Sequence, residues 1–486
     1  MTTMPNPLPQ QVKHLSKPVH HDHAHSGYVW FISFVAALGG LLFGYDWVVI
    51  GGAKPFYEVY FNLSTPSLQG WAMSCALIGC LAGALFSGVL SELWGRKPAL
   101  LVAAFTFTVS SLCTGLAGSL TSFVLWRMAG GIAIGLASSL SPMYIAEVAP
   151  AEIRGKLVCL NELTIVLGIL SAQIANWLIA KPVADSSAAA ILDSWNGQQG
   201  WRWMFAATAV PAILFLLGML FVPESPRWLA MRGRLDEAAR TLERIGGSSN
   251  ARFVLQEIAD AKGRTGQGSE LRQLLQPRFL RILLLGVALA VLQQWCGINV
   301  IFNYAQEIFS AAGYPLSSIL FNIVVTGVVM VVFTFVSIAT IDRYGRRPLM
   351  LIGSGGLAAI YIVLGTLFGL HSQGLPMLAL VVAALAFYAM TLAPVTWVIL
   401  SEIFPGPVRG TAMAIATASL WIACFILTYT FPLLNAVAGT AGTFWIYAAI
   451  CVLGFLLIHR RLPETRRRTL EEIEESWNQR ASRLKS

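Results

Sequence analysis

Two residues of opposite charge stand inside long apolar runs, and their chemistry is the first thing the sequence offers. Asp46 lies in the run 28–53 and Arg127 in the run 121–146. A central carboxylate or guanidinium in lipid costs ~2.5–3.5 kcal/mol even on a lenient scale, so each needs a role or a partner. Asp46 lies 18 residues past Tyr28, ~27 Å along a helix rising 1.5 Å per residue. Arg127 lies six residues into a run of opposite direction, ~9 Å below the same far surface. The two depths are compatible with a direct pair. A buried carboxylate whose arginine moves away loses the stabilisation of its charged form and takes up a proton; re-forming the pair releases it. The alternative is a permanent salt bridge pinning two helices.

The elements that must position these residues are membrane helices. The chain has 486 residues, 56% hydrophobic and only 12% charged, with a mean hydropathy of +0.66. Soluble domains carry roughly 25% charged residues, so most of this surface faces lipid. Apolar runs occur at 28–53, 70–90, 99–118, 121–146, 157–180 and 203–222, then at 281–310, 317–341, 348–370, 376–400, 411–433 and 443–458. Each meets or approaches the ~20 residues a bilayer-spanning helix requires. The expected architecture is all-α, with twelve transmembrane helices.

The polar parts follow from that division. Residues 1–27 form an N-terminal tail, 28–222 a first half, 223–279 a linker, 280–460 a second half and 461–486 a C-terminal tail. The first run is too long for a cleaved signal segment. Within the linker, Leu235–Ile245 and Phe253–Ala261 have amphipathic helical spacing. Lysine and arginine collect on one side (Arg96, Lys97, Arg154, Lys156, the linker, Arg343, Arg346, Arg347, Arg409 and 466–468), whereas the other side holds Lys54 and Lys181, with Arg202 at one edge. The basic side is expected to be cytoplasmic, with both termini there. The net charge of +9 is scattered in short clusters between apolar runs, which fits a membrane side better than a nucleic-acid face. The seven cysteines stand singly in apolar surroundings, without metal or disulfide spacing. His14, His20, His21, His23 and His25 sit in the polar tail and are assigned no metal.

The chain also repeats itself. Glu147-x-x-Pro150-x-x-x-Arg154-Gly155 recurs 255 residues on as Glu402-x-x-Pro405-x-x-x-Arg409-Gly410. Gly95-Arg96-Lys97 recurs as Gly345-Arg346-Arg347, and Pro223-Glu224-Ser225 as Pro463-Glu464-Thr465. Three patterns in the same order at half the chain length indicate two homologous six-helix halves, the plan of the major facilitator superfamily. Gly88-x-x-x-Glu92-Leu93-x-Gly95-Arg96-Lys97, Pro142-x-Tyr144-x-x-Glu147, Pro223–Leu229 and Gln293-Gln294-x-x-Gly297-x-Asn299 are similar to the motifs of its sugar porter family over residues 28–473.

That resemblance implies a carrier that rocks between two states, with a sugar and a proton as its passengers and no cofactor. It resembles most closely the proton-coupled bacterial sugar symporters, which carry aspartate in the Gly44-Tyr45-Asp46 position where uncoupled facilitators tend to have asparagine. Glu92, Arg96, Glu147, Arg154 and Glu224, with Asp342, Arg346, Glu402, Arg409 and Glu464, would form ion pairs that hold the halves together in one state. Glu92 stands where the family usually has aspartate or asparagine. The sugar would meet amides, Gln293, Gln294 and Asn299, and the aromatic platforms Trp397 and Phe43. Adjacent glutamines do not share a helical face, so one of the two is expected to serve packing. Glu162 replaces a usual glutamine and could accept hydrogen bonds from sugar hydroxyls or titrate. Met330, Ala393, Leu420 and Cys424 replace polar or smaller residues, which leaves the exact sugar open.

Three other readings are open to the same residues. An uncoupled facilitator differs in not using a proton gradient. A sugar-sensing receptor of this fold tends to add a long signalling tail. A membrane enzyme needs a nucleophile–base pair or metal cluster inside the runs, and outside the tail only His371 and His459 are histidines, both near run ends. The expectation is a monomeric transporter in a bacterial inner membrane.

Overall fold

The computed structural model describes residues 26–150, 153–183, 187–264, 274, 276–311, 313–314, 316–404 and 408–466. Its first helices are α1 (Ser26–Tyr60), α2 (Pro66–Trp94), α3 (Arg96–Gly115), α4 (Leu120–Val148) and α5 (Arg154–Ile179). A sixth crossing is made by α6 (Trp201–Ala207) and α7 (Ala209–Phe221), interrupted at Thr208. Between the halves lie α8 (Pro226–Met231) and α9 (Leu235–Arg264), the latter two helices joined across non-helical Gly246 and Gly247. The second half comprises α10 (Pro277–Trp295), α11 (Ile298–Asn303), α12 (Ala305–Ala311), α13 (Leu316–Tyr344), α14 (Arg346–Gly369), α15 (Leu375–Met390), α16 (Leu392–Ile403) and α17 (Arg409–Arg461).

Among the described residues, eleven helices are long and apolar enough to cross a membrane. α17 has 53 residues, ~80 Å of helix against a ~30 Å hydrocarbon core, and so cannot be one crossing. It breaks at Gly439, where φ is +67°, and makes two. The total is therefore twelve crossings. The seventh bends in the same way: Gly297 has φ +85°, and a side chain there would run into the ring of Tyr447.

Glycine sets how close the helices come. In the first half, Gly79 and Gly83 of α2 interleave with Gly131 and Gly135 of α4, and a Cβ on any of them would strike a backbone carbonyl of the facing helix. Gly44 of α1 and Gly168 of α5 do the same for that pair. Water supplies no hydrophobic drive between helices in lipid, so close backbone packing through small residues takes its place. Contacts between halves concentrate at one end: Gly51 against the carbonyl of Phe302, Gly70 against that of Tyr429, and Gly327 against Gln173. This is called below the Lys54 end, and the opposite one the Gly95 end.

One expectation needs correcting. The apolar run ends at Ala53, which puts Lys54 in a loop on the sequence pattern alone. It lies within α1, which continues to Tyr60, and its side chain is 3% exposed. Carboxylate partners make a charge tolerable where the hydropathy pattern places the helix end.

The glycine contacts generate a test. Gly131→Leu should lower the thermal midpoint in detergent by roughly 5 °C or more, or abolish folding, through overpacking against α2. Gly88→Leu, with open space where its Cβ would be, should leave the midpoint unchanged. Both are read by size-exclusion chromatography after heating.

Candidate functional site

α1 and α4 bring Asp46 and Arg127 together inside the first half. Arg127 Nη1 donates to Asp46 Oδ1 at 2.5 Å, with both residues buried. The guanidinium also stacks over Phe205, 5.4 Å from the ring centre, while its Nε makes no hydrogen bond among the described residues. A narrow cavity beside the pair is lined by Asp46, Trp47, Met73, Arg127 and Asn303, so it touches both halves. Among the described residues the Phe205 ring is the other close hold recorded on the guanidinium.

The amides of the second half join into one chain. Asn299 Nδ2 donates to Gln294 Oε1, Gln294 Nε2 donates to Gln293 Oε1 at 3.2 Å, and Gln293 Nε2 donates to the carbonyl of Ala393 at 3.0 Å. The expectation that one glutamine serves packing alone is therefore revised. The break at Gly297 turns α11 so that Asn299 folds back on α10, and neighbouring glutamines meet through their side chains. The Ala393 carbonyl lies beside Pro394, just beyond the break at Thr391 that separates α15 from α16.

The aromatic wall is larger than the sequence suggested. Phe43 is half-buried and meets Trp47 and Trp421 edge-on, with ring centres 5.6 and 5.7 Å away; Trp47 and Trp421 are 6.1 Å apart. The cluster joins α1 to α17, one half to the other. The indole N–H of Trp421 is buried with no partner among the described residues. Trp397 is half-buried on α16 and packs against the core. Neither Trp47 nor Trp421 was singled out from the sequence. The i,i+4 spacing of Phe43 and Trp47 was available as a signal, whereas the approach of Trp421 is tertiary. Glu162 is half-buried on α5, and its carboxylate has no hydrogen bond or ion pair among the described residues. Met330, Leu420 and Cys424 are buried, and Cys424 Sγ lies 3.8 Å from Asn299 Nδ2.

At the Gly95 end the repeated motifs build two copies of one cluster. Arg96 grips Glu147 through two nitrogens, at 3.0 and 2.8 Å. Glu224 accepts from the backbone N–H of Arg96 and Lys97, capping the start of α3. Burial pushes the Glu224 carboxyl above its ordinary value, and the N–H groups of Ser225, Lys97 and Arg96 oppose that shift. Ser225 closes the ring by donating to Glu147. In the second half Arg346 pairs with Glu402 at 3.0 Å, Glu464 accepts from the N–H of Arg346 and Arg347, and Thr465 donates to Glu402 at 2.6 Å. Gly95 and Gly345, with φ +103° and +95°, make room for the carboxylates, since a Cβ on either would strike the glutamate.

In this conformation the clusters close within each half. Among the described residues, no ion pair at this end crosses between halves; each ring ties three helix ends of its own half. The glutamate that caps a helix start is already committed within its own half. Glu92 is exposed, and only its carbonyl is used, by Trp228 Nε1 at 2.9 Å and by Arg232. Arg154 is exposed and makes no ion pair among the described residues. The side chains of Asp342 and Arg409, and the histidines of the tail, lie outside the described residues.

Twelve crossings, a twofold-repeated cluster and a site between the halves define a membrane transporter of the major facilitator fold, not an enzyme. Residues 32–477 match the family described as sugar (and other) transporter. The chain is 39% identical to the D-xylose-proton symporter of Escherichia coli K12, over 93% of this chain and 96% of that one. It is 38% identical to the arabinose-proton symporter of Bacillus subtilis, over 95% and 97%. The solved inward-open structure of the E. coli xylose transporter XylE matches with a TM-score of 0.80 at 37% identity, over 93% of this chain and all of that one. The chain belongs to the sugar transporter family.

The buried pair can be tested by stability alone. Asp46→Leu leaves Arg127 charged and unpaired, and should cost about 3–5 kcal/mol, lowering the thermal midpoint. The double variant Asp46→Leu, Arg127→Met should recover most of that loss. A single variant as stable as the wild type would show that the two charges do not depend on each other.

Proposed function

We propose that this chain carries a monosaccharide (a pentose, hexose or polyol) together with a proton by alternating access. The observation that carries the reading is the Asp46–Arg127 pair beside a cavity that both halves line. Separation of the pair lets Asp46 take a proton from one side, and re-formation discharges it to the other. The relatives named as xylose-proton and arabinose-proton symporters support this over an uncoupled facilitator.

The sugar meets the Gln293–Gln294–Asn299 chain on one wall and Phe43, Trp397 and the Trp47–Trp421 pair as aromatic surface. Glu162, without a partner among the described residues, accepts hydrogen bonds from sugar hydroxyls. The halves, 28–222 and 280–460, move about this site, each kept rigid by its own Glu–Arg ring, with the linker 223–279 beneath. The Gly95 end faces the cytoplasm, because the lysine and arginine excess is there, and both termini lie on that side. The contacts between halves at the Lys54 end then close the outer mouth, in keeping with the match to an inward-open relative. The protein acts as a monomer in a bacterial inner membrane.

The test is uptake of radiolabelled xylose, arabinose, glucose, galactose and inositol into proteoliposomes with and without an inward proton gradient. One sugar should accumulate only with the gradient, and Asp46→Asn should exchange that sugar without accumulating it. Gradient-independent uptake by both proteins would make this a facilitator. Glu162→Gln should keep accumulation while raising the half-saturating concentration about tenfold, the loss of one charge-assisted hydrogen bond. Loss of accumulation in that variant would give Glu162 a part in proton transfer instead.

A further inference from the structure

Lys54 is the charge that the scheme above does not use. Its side chain is buried between α1 and α12, that is, between the halves. Nζ donates to Glu58 Oε2 at 3.0 Å, one turn on along its own helix, and to Glu307 Oε1 of the other half. It also lies 5.2 Å from the ring centre of Tyr304, which the second half fixes by a 2.7 Å hydrogen bond from its hydroxyl to the Thr428 carbonyl and by packing on Phe431. The remaining oxygens, Glu58 Oε1 and Glu307 Oε2, are buried without a hydrogen bond, so among the described residues only Lys54 holds either carboxylate.

This arrangement has a consequence for opening at that end. A lysine stripped of all partners inside a bundle is expensive, so a pair with Glu307 alone would oppose any separation of the halves. Glu58 removes that penalty, because it travels with Lys54 on α1. The segment bearing Glu307 is not continuous with α10: the backbone breaks at Gly297, before α11, and again at Tyr304, before α12. We propose that Lys54 is a partner-changing gate: it bridges to Glu307 when the Lys54 end is closed and is retained by Glu58 when that end opens. Lys54 and Glu307 set how firmly the mouth shuts, and Glu58 sets how readily it opens. The inference rests on the alternating-access reading above, but it concerns the gate and requires neither a sugar nor a proton.

The experiment measures distances between spin labels at Ser64→Cys and Val437→Cys, both exposed positions at this end, in the full chain in nanodiscs with exposed Cys159 replaced by serine. The wild type should give a predominantly short distance. Glu307→Gln should raise the long-distance population on the order of tenfold, and Glu58→Gln should lower it, as expected of couplings of ordinary size. The exchanged pair Lys54→Glu, Glu307→Lys should restore the short distance, which a purely packing role would not allow. Should Glu307→Gln misfold, Glu307→Asp takes its place, with a smaller rise expected. Shifts in the same direction for the Glu58 and Glu307 variants, no shift in either, or failure of the exchanged pair would each overturn the gate. A distance response that follows the proposal without gradient-driven sugar uptake would keep the gate and reject the symport reading.

Discussion

A charge in the hydrocarbon layer must bring its own counter-charge, and the rest of this structure is arranged around that demand. Asp46 and Arg127 answer it within the first half, and Lys54 answers it with carboxylates from both halves. A pair inside one half can be disturbed without moving the other. A pair between halves cannot change without relative motion. The two sites thus differ in kind, one closed within a half and one bridging both.

Rigidity within each half is what allows such differences to matter. The interleaved glycines of α2 and α4 bring backbones into contact, and the Glu224 and Glu464 rings tie three helix ends apiece at the Gly95 end. Such packing resists distortion inside the bundle. In the second half the backbone is irregular around α11, at Gly297 and Tyr304, and before Pro394, at Thr391. Non-helical backbone at membrane depth is tolerated when it is buried in protein, as Tyr304 and Thr391 are.

Much of this was legible beforehand. The twelve runs, the halfway repeat and the depths of Asp46 and Arg127 follow from spacing and from the cost of charge in lipid. The rings at the Gly95 end were legible as residues but not as partners, because a list of charged positions does not say whether Glu147 reaches for its own half or for the other. Lys54 misled in the opposite way: hydropathy treats a lysine as a helix end, and only the fold supplies Glu307 from 253 positions away. The aromatic wall was half visible, since Phe43 and Trp47 share a helix face, whereas Trp421 arrives from the other half.

The hydrogen-bonded chain from Asn299 through Gln294 and Gln293 to the Ala393 carbonyl is made wholly of amides. Carboxamides neither gain nor lose protons at physiological pH, so this chain is an electrical insulator for proton traffic even though it is continuous. All its donors point one way, toward α16, which leaves the Asn299 oxygen as its open acceptor terminus. A wall of that kind can sense the shape and hydroxyl pattern of a solute while staying indifferent to pH. Acid–base chemistry falls instead to carboxylates, and none of them belongs to this chain of amides.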